Sequence, residues 1–230
     1  MQPYLFPYIG YFQLVKLVDK FVIYDDVNFI KQGWINRNNI LVQGNALLFT
    51  LPVSNQSSFL KINEVLINDK LYGSWKVKFL RTLEQSYKKA PYFNEVYSLV
   101  ENVLSINVNT SIAEIATRSI AGVCKYLKVD TEIIKSSVIY NNIDLKGKQR
   151  VIDICQKEKG QHYINPVGGQ ELYDKTYFKE NNLELNFIKA LPLSYKQFGN
   201  EFVPWLSIID VLMFNSIEEV DALLNEYDLA

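Results

Sequence analysis

The spacing of apolar and polar positions changes several times along the chain, and each change predicts a different element. Apolar residues at helical spacing predict a short amphipathic helix over residues 11–19, and the apolar run after it predicts a strand over 20–25. Two further apolar runs flank the polar turn Gln43-Gly44-Asn45, which is typical of a β-hairpin. The N-terminal part therefore combines a helix, a strand and a hairpin.

The middle of the chain has a helical pattern, and the last part alternates between strands and helices. Helices are expected over about 74–89, 92–104 and 111–127. The first of them should end before Pro91, because the residue ahead of a proline disfavours helix. Downstream, strands are expected over 131–138, 162–165 and 183–189, and helices over 150–159 and 174–181. Such alternation indicates crossover connections between parallel strands.

These elements predict one α/β domain over residues 1–230 with a Rossmann-like, mostly parallel sheet. The hairpin is expected as an insertion at 34–67 and the helices as a subdomain at 70–128. The opening order of strand, glycine-containing loop and helix also resembles the nucleotidyltransferase-like branch of these folds, in which a helix N-terminus holds a phosphate. Their HxGH motif is missing, because the only histidine, His162, is far from this loop. The likeness therefore concerns the fold and not the reaction.

The start of the chain predicts an incomplete first strand. Met1 lies where the glycine-containing loop of such a fold begins, so we expect either a very short first strand or a chain that starts late. Strands of a parallel sheet are buried on both faces. Adding about five apolar residues before Met1 should therefore raise stability, because it buries further apolar side chains.

Composition narrows the classes of function. The 230 residues are 48% hydrophobic and 21% charged, and the net charge of −1 argues against general nucleic-acid binding while leaving a local basic groove open. Cys124 and Cys155 are far apart and lack metal or redox spacing, so we expect free buried thiols, no metal site and a reducing compartment. No apolar run has the length of a membrane span and no signal peptide opens the chain. We expect a cytoplasmic protein without membrane insertion and without a DNA partner.

The first forty or so residues carry the strongest candidate site, because open α/β sheets bind ligands beyond the carboxyl ends of their strands. Asp25 and Asp26 end a predicted strand and suit metal, ribose or general-base chemistry, since close carboxylates can raise one pKa. A turn with both groups solvated explains them equally well, and strand alternation would place their side chains on opposite faces. Trp34 can stack on a base or sugar. Arg37 can clamp a diphosphate or pair with one of the two aspartates.

A second group of polar residues lies in the C-terminal half. Asn165-Pro-Val-Gly168-Gly169 leaves a predicted strand through two glycines, which either brings backbone amides to an anion or makes a tight connection. Lys148 and Arg150 begin a predicted helix, where cations oppose the helix dipole and a bound anion would relieve the conflict. A structural role is favoured for His162 over a catalytic one. Asp210 lies on an otherwise apolar helix, where capping or pairing with an arginine explains it as readily as catalysis.

Segments spread over nearly the whole chain resemble the WbqC-like proteins. They are residues 2–12, 19–26, 33–38, 89–93, 147–155, 163–173 and 206–215. The resemblance implies a bacterial protein of surface-polysaccharide biosynthesis, in a family where some members are associated with adding an amino acid, notably glycine, to an amino sugar carried on a nucleotide. It also implies apolar residues before the Met-Gln-Pro segment. It does not assign catalytic residues.

The hypothesis is a transferase that adds a small acyl or amino-acid unit, glycine in the simplest case, to the amine of a nucleotide-linked amino sugar for O-antigen, lipopolysaccharide or capsule synthesis. The expected catalytic residues are Asp26, as the proton acceptor, Lys31 and His162. The expected substrate-binding residues are Gln2, Tyr4, Tyr8, Gly10, Asp25, Trp34, Asn36, Arg37, Lys148, Arg150, Asn165, Gly168, Gly169 and Tyr173. The cationic residues would hold the diphosphate, and the amides of the two glycines would stabilise an oxyanion.

The donor stays open in this hypothesis. Glycine needs activation by ATP, a carrier or tRNA, and the sequence contains no P-loop, so no cofactor is predicted. Two alternatives remain. One is a nucleotidyltransferase-like enzyme with a degenerate loop, and the other is a noncatalytic module that binds a carbohydrate or a partner protein.

Overall fold

The structure, a computed structural model that describes residues 1–199 and 201–230, is a mixed α/β fold. Its helices are α1 (Ile9–Leu17), α2 (Asp69–Tyr87), α3 (Phe93–Val103), α4 (Ile112–Leu127), α5 (Gly147–Lys157), α6 (Lys175–Glu180), α7 (Ile208–Phe214) and α8 (Ile217–Leu223). Its strands are β1 (Lys20–Val22), β2 (Arg37–Val42), β3 (Asn45–Thr50), β4 (Glu132–Ile134), β5 (His162–Pro166), β6 (Glu184–Ala190) and β7 (Tyr227–Leu229). Short 3₁₀ turns cover Ile62–Glu64, Ser137–Tyr140 and Val167–Leu172.

The strands form three small sheets instead of the single expected sheet. β1 pairs with β4 and β5 pairs with β6, both in parallel. β7 joins β6 in antiparallel orientation, and β2 pairs with β3. Parallel crossovers are therefore present. The nucleotidyltransferase-like start is not confirmed, because β1 and β5 belong to different sheets.

The predicted hairpin is confirmed as β2 and β3. Val42 pairs with Asn45, so Gln43 and Gly44 make the turn, and both have a positive φ, of 51° and 77°. Two positive φ values define a type I′ turn, whose twist matches that of antiparallel strands. The pairing begins at Arg37, opposite Thr50, which is earlier than the apolar run predicts.

The three helices predicted in the middle of the chain are present as α2, α3 and α4. α2 begins earlier than predicted, because the Asn68 side chain accepts a hydrogen bond from the Leu71 N–H at 3.2 Å and caps the helix there. Ser111 caps α4 in the same way, accepting from the Glu114 N–H at 3.1 Å. The division into a hairpin insertion and a helical subdomain stays a prediction.

The strands predicted over 20–25 and 131–138 are both shorter, ending at Val22 and Ile134. Local side-chain bonds explain the shortening, since such bonds compete with a strand ladder. Ser136 Oγ accepts from the Val138 N–H at 3.2 Å, and Asp25 Oδ1 accepts from the Ser137 N–H at 3.0 Å. Strand alternation therefore ends before Asp25 and Asp26. Both carboxylates lie within hydrogen-bond distance of the Ser137 hydroxyl, so the expectation that their side chains point to opposite faces is wrong.

Two apolar cores cover the two faces of the β5–β6 pair. The main core packs α1, the hairpin, α2–α4, α7 and α8, and it includes Ile188 of β6. Leu185 and Phe187 point the other way, into a smaller core completed by Ile152, Phe178 and Leu183. In the part of the chain that the structure describes, no helix combines the length and the apolar character needed to cross a bilayer. Both cysteines are free; Cys124 is buried, and Cys155 is only half-buried.

Candidate functional site

A groove of about 890 Å³ separates β1 from β5. We call it the central groove. The two strands form its sides, Leu14 and Leu17 of α1 line it, and Ile154 and Cys155 of α5 line it as well. Its volume lies within the range of about 300–1,000 Å³ that is usual for small-molecule sites.

Uncharged hydrogen-bonding groups line the end of the central groove at which β1 and β5 terminate. These residues, which we call the groove mouth, are Gln2, Tyr4, Tyr24, Asn165, Gly169 and Tyr173. The carboxyl ends of parallel strands are where α/β sheets bind ligands. Sequence reasoning selected all of these residues except Tyr24, and the structure brings them together.

The tyrosine hydroxyls of the groove mouth are protonated donors at neutral pH. Burial raises the pKa of Tyr4, and the nearby Tyr8 hydroxyl raises it further. Burial also raises the pKa of Tyr24, against the opposing effect of Arg150, and it raises the pKa of Tyr173. Each hydroxyl can therefore donate to, or accept from, the oxygens of a ligand.

Gly169 is required by the position of Asn165. A Cβ on Gly169 would lie 2.0 Å from Asn165 Nδ2, whereas a Cβ on Gly168 would meet no atom within 4 Å. Asn165 is further fixed by the Tyr163 hydroxyl, which donates to its Oδ1 at 3.2 Å, and by the Pro166 carbonyl, which accepts from its Nδ2 at 3.1 Å. The two adjacent glycines thus differ, because only Gly169 touches the site.

A buried polar cluster lies against Tyr24, whose ring is 4.8 Å from the Arg150 guanidinium carbon. We call it the acidic cluster, and its members are Asp25, Asp26, Ser136, Ser137 and Arg150. Arg150 Nη2 and Ser137 Oγ each donate to a different oxygen of Asp26. Arg150 Nε donates to Asn142 Oδ1 at 2.9 Å, so the guanidinium is held from two sides.

The carboxylate of Asp26 is stabilised in its charged form. Burial raises its pKa, but the hydrogen bonds from Arg150 and Ser137 outweigh that effect and leave the pKa below its ordinary 3.8. The hypothesis that a close carboxylate lifts this pKa towards neutrality is therefore wrong for Asp26. Because each of its oxygens already has a donor, Asp26 is arranged to position Arg150 and Ser137 and not to accept a proton from a ligand.

Asp25 keeps one oxygen available. Its Oδ1 accepts from Ser136 Oγ at 2.9 Å and from the Ser137 N–H at 3.0 Å. Within residues 1–199 and 201–230, its Oδ2 has no hydrogen-bond partner. Asp25 is itself buried and does not line the central groove, but it directly follows Tyr24 of the groove mouth. Over the same residues, no group of three or more histidine, cysteine or acidic side chains is arranged to hold a metal.

The predicted stacking and clamping residues Tyr8, Trp34 and Arg37 lie outside the central groove. The Arg37 guanidinium stacks on Trp34 at 5.8 Å, and Tyr8 packs against Trp205 at 6.2 Å between ring centres. The alternative in which Arg37 pairs with Asp25 or Asp26 is wrong, because Arg150 is the partner of Asp26 and the donors to Asp25 are Ser136 and Ser137. In the described part of the chain, Arg37 Nε is buried without a hydrogen-bond partner.

Gly10 and Asn36 have structural surroundings. A Cβ on Gly10 would lie 2.4 Å from the Tyr8 ring, so this glycine makes room for that side chain. Asn36 is buried and donates through Nδ2 to the Leu51 carbonyl at 2.9 Å, which ties the hairpin to the preceding turn. Neither residue lines the central groove.

The remaining predicted residues are dispersed. Lys31 is exposed and does not line the groove, and Lys148 Nζ lies 3.9 Å from the centre of the Tyr177 ring. His162 is at the start of β5, at the opposite end from the groove mouth, and its Nδ1 is 3.4 Å from Glu184. The structure therefore does not gather Asp26, Lys31 and His162 into one catalytic group.

Sequence reasoning missed Ser136 and Ser137, which hold both aspartates. The signal was present, because the two serines follow the short strand β4, and β4 runs parallel to β1. The rule that drew attention to Asp25 and Asp26, polar residues just beyond a parallel strand, applies equally to them.

Comparison with known proteins places the chain in a family. The family model described as the WbqC-like protein family matches residues 2–222. The uncharacterized protein Rv1507c of Mycobacterium tuberculosis is 29% identical over 219 residues, which cover 94% of this chain and 93% of that protein. No solved structure matches the chain. The chain belongs to the WbqC-like protein family.

Proposed function

Taking membership of the WbqC-like family as the premise, we propose that this protein is an enzyme that adds a small acyl unit, glycine in the simplest case, to the amino group of a nucleotide-linked amino sugar used for O-antigen, lipopolysaccharide or capsule synthesis. The substrate class comes from the family resemblance. The observation that supports a site for it is the convergence of amide and phenol groups on the groove mouth. Such groups match the hydroxyls and ring of a sugar, because each can donate or accept a hydrogen bond.

In this proposal the diphosphate lies at the N-terminus of α5. Arg150, in the first turn of α5, contacts Tyr24, so the start of this helix is beside the groove mouth. Helix N-termini favour anions, because their backbone N–H groups have no partner within the helix. Lys148 is exposed in the same turn and would add a positive charge. Arg150 itself would act indirectly, since its guanidinium is bonded to Asp26 and Asn142.

The transfer step assigned to this site is an attack by the sugar amine on the activated carbonyl of the donor. As the new C–N bond forms and the tetrahedral intermediate collapses, the bond between the carbonyl carbon and the activating group breaks, and that group (from ATP, a carrier or tRNA) leaves with the electron pair. The amine must be neutral to attack, so its proton has to leave as the new amide bond forms. We assign that proton to Asp25 Oδ2, which is the oxygen of the acidic cluster without a hydrogen-bond donor in the described residues and belongs to the residue that follows Tyr24 of the groove mouth. The backbone amides near Gly168 and Gly169 would stabilise the oxyanion of the tetrahedral intermediate.

The test is a set of parallel incubations that differ in how the glycine donor is activated. The protein is incubated with a nucleotide-linked amino sugar and with glycine activated by ATP, by a carrier or by tRNA, and mass spectrometry follows the product. A gain of one glycyl residue in any arm supports the proposal. Release of pyrophosphate without that gain would favour the nucleotidyltransferase-like alternative, and binding without turnover would favour a noncatalytic module.

A variant pair sharpens the assignment of the base. Asp25→Asn should lower the rate by about 10²–10⁴-fold, the usual contribution of a general base, while keeping nucleotide-sugar binding. Asp228→Asn, on exposed β7, is the matched control and should not change the rate. Equal rates for the two variants would contradict the role of Asp25.

Two finer assignments belong to the same proposal. The first is the fold: we assign the parallel pairs β4–β1 and β5–β6 to the two halves of one Rossmann-like sheet with a nucleotidyltransferase-like start. A cytoplasmic location, expected from the sequence, stays a prediction.

A further inference from the structure

We infer that a second nucleotide-binding surface lies next to the groove mouth and holds the adenosine phosphate of the activated donor. We call this surface the aromatic shelf, and its members are Tyr8, Trp34, Arg37 and Trp205. All four residues lie outside the central groove. The assignment to the donor rests on the proposed function, because that reaction needs a second substrate beside the nucleotide-linked amino sugar.

Backbone hydrogen bonds bring the segments of the aromatic shelf together. The Ile208 N–H donates to the Pro7 carbonyl at 2.9 Å, next to the tyrosine of the shelf. The Ser207 N–H donates to the Asn39 carbonyl of β2 at 2.8 Å, and β2 begins with the arginine of the shelf. The segment that follows Trp205 is therefore fixed both to the N-terminal loop and to β2.

Trp205 is held away from the core by an unfavourable backbone conformation. Its side chain is 68% exposed, and its ring lies 6.2 Å from that of Tyr8. Its φ of 61° is in the left-handed region, where a bulky side chain is strained. Packing does not repay this strain, because most of the ring is in solvent. Strained residues of this kind cluster at ligand sites.

The Arg37 guanidinium has no anion to pair with. It stacks at 5.8 Å on Trp34, which is 48% exposed. Over the described residues, Arg37 Nε is buried without a hydrogen-bond acceptor, and no carboxylate lies within salt-bridge distance of the guanidinium. A partly buried cation without an acceptor is unfavourable, and a guanidinium stacked on a ring is well suited to bind a phosphate. The exposed Lys31, three residues before Trp34, would add a second positive charge.

Exposed flat rings beside an unpaired cation match a nucleotide. Nucleobases stack on tryptophan and tyrosine rings, and a phosphate accepts strong hydrogen bonds from a guanidinium. The three routes of glycine activation share this unit, because ATP, coenzyme A as a carrier and the 3′ end of tRNA each contain an adenosine phosphate. The aromatic shelf would therefore bind the common part of the donor and leave the glycyl group free to react.

The aromatic shelf adjoins the groove mouth through the N-terminal loop. Tyr4 of the groove mouth and Tyr8 of the shelf both precede α1. Their hydroxyls are near enough for Tyr8 to raise the pKa of Tyr4. A donor held on the shelf by its adenosine phosphate would extend its acyl group towards the sugar amine in the groove mouth.

Isothermal titration with adenosine monophosphate (AMP) tests the stacking surface. Trp205→Gly removes the ring and relieves the positive φ, so the melting temperature should be unchanged or higher. The affinity for AMP should fall by about tenfold or more, because a stacking partner is lost. Trp75→Phe, in the aromatic stack of α2, is the matched control and should keep the affinity. A lower melting temperature of Trp205→Gly with unchanged affinity would overturn the inference.

A second variant separates the phosphate from the base. Arg37→Met should weaken AMP binding by about tenfold and leave the affinity for adenosine unchanged, whereas Trp205→Gly should weaken both. Arg81→Met, exposed on α2, is the control and should bind AMP like the unmodified protein. Unchanged AMP affinity in Arg37→Met, or equal losses of AMP and adenosine affinity, would overturn the phosphate assignment.

Competition identifies the source of the adenosine phosphate. ATP, coenzyme A and a short RNA ending in cytidine-cytidine-adenosine are each titrated against bound AMP. Displacement by any of them supports the assignment to the donor, and failure of all three would overturn it. Loss of AMP binding in Gly169→Ala but not in Trp205→Gly would place AMP in the groove mouth and overturn the shelf. Because these measurements need no turnover, AMP binding to the shelf without any glycyl transfer would count against the proposed function alone.

Discussion

Two buried carboxylates in this molecule differ in their hydrogen-bond donors, because one is paired with a cation and the other is surrounded by neutral groups. Asp26 faces the cation of Arg150, and the resulting hydrogen bonds leave its pKa below the ordinary value. Asp210 has no exposed surface and is surrounded by neutral donors, the hydroxyls of Tyr87 at 2.8 Å and Tyr195 at 2.7 Å and the Gln197 amide at 2.7 Å. Burial raises the pKa of Asp210, and the three donors offset this only in part.

The difference separates a structural carboxylate from one that adjoins a candidate site. Asp210 ties α7 to α2 through Tyr87, whose hydroxyl also accepts the Leu41 N–H of the hairpin at 2.6 Å. Asp26 instead anchors Arg150 and Ser137, which surround Asp25 and Tyr24 at the end of the central groove. A buried acid therefore indicates function only when its partners border a space that a ligand can enter.

Among substitutions in the acidic cluster and around Asp210, the loss of Arg150 should lower the free energy of unfolding the most. Arg150→Met leaves Asp26 buried without its cation, and breaking a buried pair in this way costs about 3–5 kcal/mol of unfolding free energy. Chemical denaturation measures this loss, with Lys146→Met, an exposed residue just before the same helix, as the control, expected to change stability by no more than about 0.5 kcal/mol. A fully stable Arg150→Met protein would show that the guanidinium is free to serve a ligand.

Substitutions of the tyrosines that donate to Asp210 should lower the free energy of unfolding somewhat less, and Tyr87 should matter more than Tyr195. Tyr195→Phe removes one hydrogen bond to a charged group, worth about 1.5–3 kcal/mol. Tyr87→Phe removes an equivalent bond and also leaves the Leu41 N–H without its acceptor, so it should be the more destabilising of the two. Tyr227→Phe, on β7, is the control. The reverse order of Tyr87 and Tyr195 would contradict this description of the network.

The pH dependence of stability should separate the two acids by sign. The pKa of Asp26 is lowered by folding, so its contribution is present above the ordinary 3.8 and is lost as the pH falls through the lower folded value. The pKa of Asp210 is raised, so its contribution is present below 3.8 and is lost as the pH rises through the higher folded value. A tenfold change in the acid dissociation constant of either group on folding corresponds to about 1.4 kcal/mol of stability.

Variants that replace one of the two titrating carboxyl groups at a time test whether the two groups change the pH dependence of stability in opposite directions. Asp26→Asn should flatten the loss of stability towards acid pH, because it deletes a group that stabilises only when charged. Asp210→Asn should steepen that loss, because it deletes a group whose protonation favours the folded state. Denaturation at a series of pH values between neutrality and acid checks both, and slopes that change in the same direction would refute the comparison.

The sequence predicted the local elements better than their assembly. The hairpin followed from its turn residues, and α4 followed from its apolar spacing. The separation of β1 from β5 could not be predicted, because strand patterns do not say which edges meet. The early end of β1 was missed for a related reason, since it depends on hydrogen bonds between Asp25 and Ser137, which are far apart in sequence.

The candidate site was predicted in part for the same reason. Gln2, Tyr4, Asn165, Gly169 and Tyr173 were selected by local rules on loops and glycines, and these residues meet at the groove mouth. The roles of Asp26 and Arg150 were not predictable, because each side chain is the other's partner across the fold. Residue type alone gives the charge of a group but not what neutralises it.

The proposal that the groove mouth binds a nucleotide-linked amino sugar is tested most directly by two adjacent glycines. Gly169→Ala would force Asn165 Nδ2 away from its place, whereas Gly168→Ala meets open space. Isothermal titration with the nucleotide-linked amino sugar that the substrate test identifies measures the affinity of each variant. We predict that Gly169→Ala weakens binding by about tenfold or more, a loss of about 1.4 kcal/mol, and that Gly168→Ala leaves it unchanged. Equal affinity of the two variants and the unmodified protein would contradict the assignment of the site.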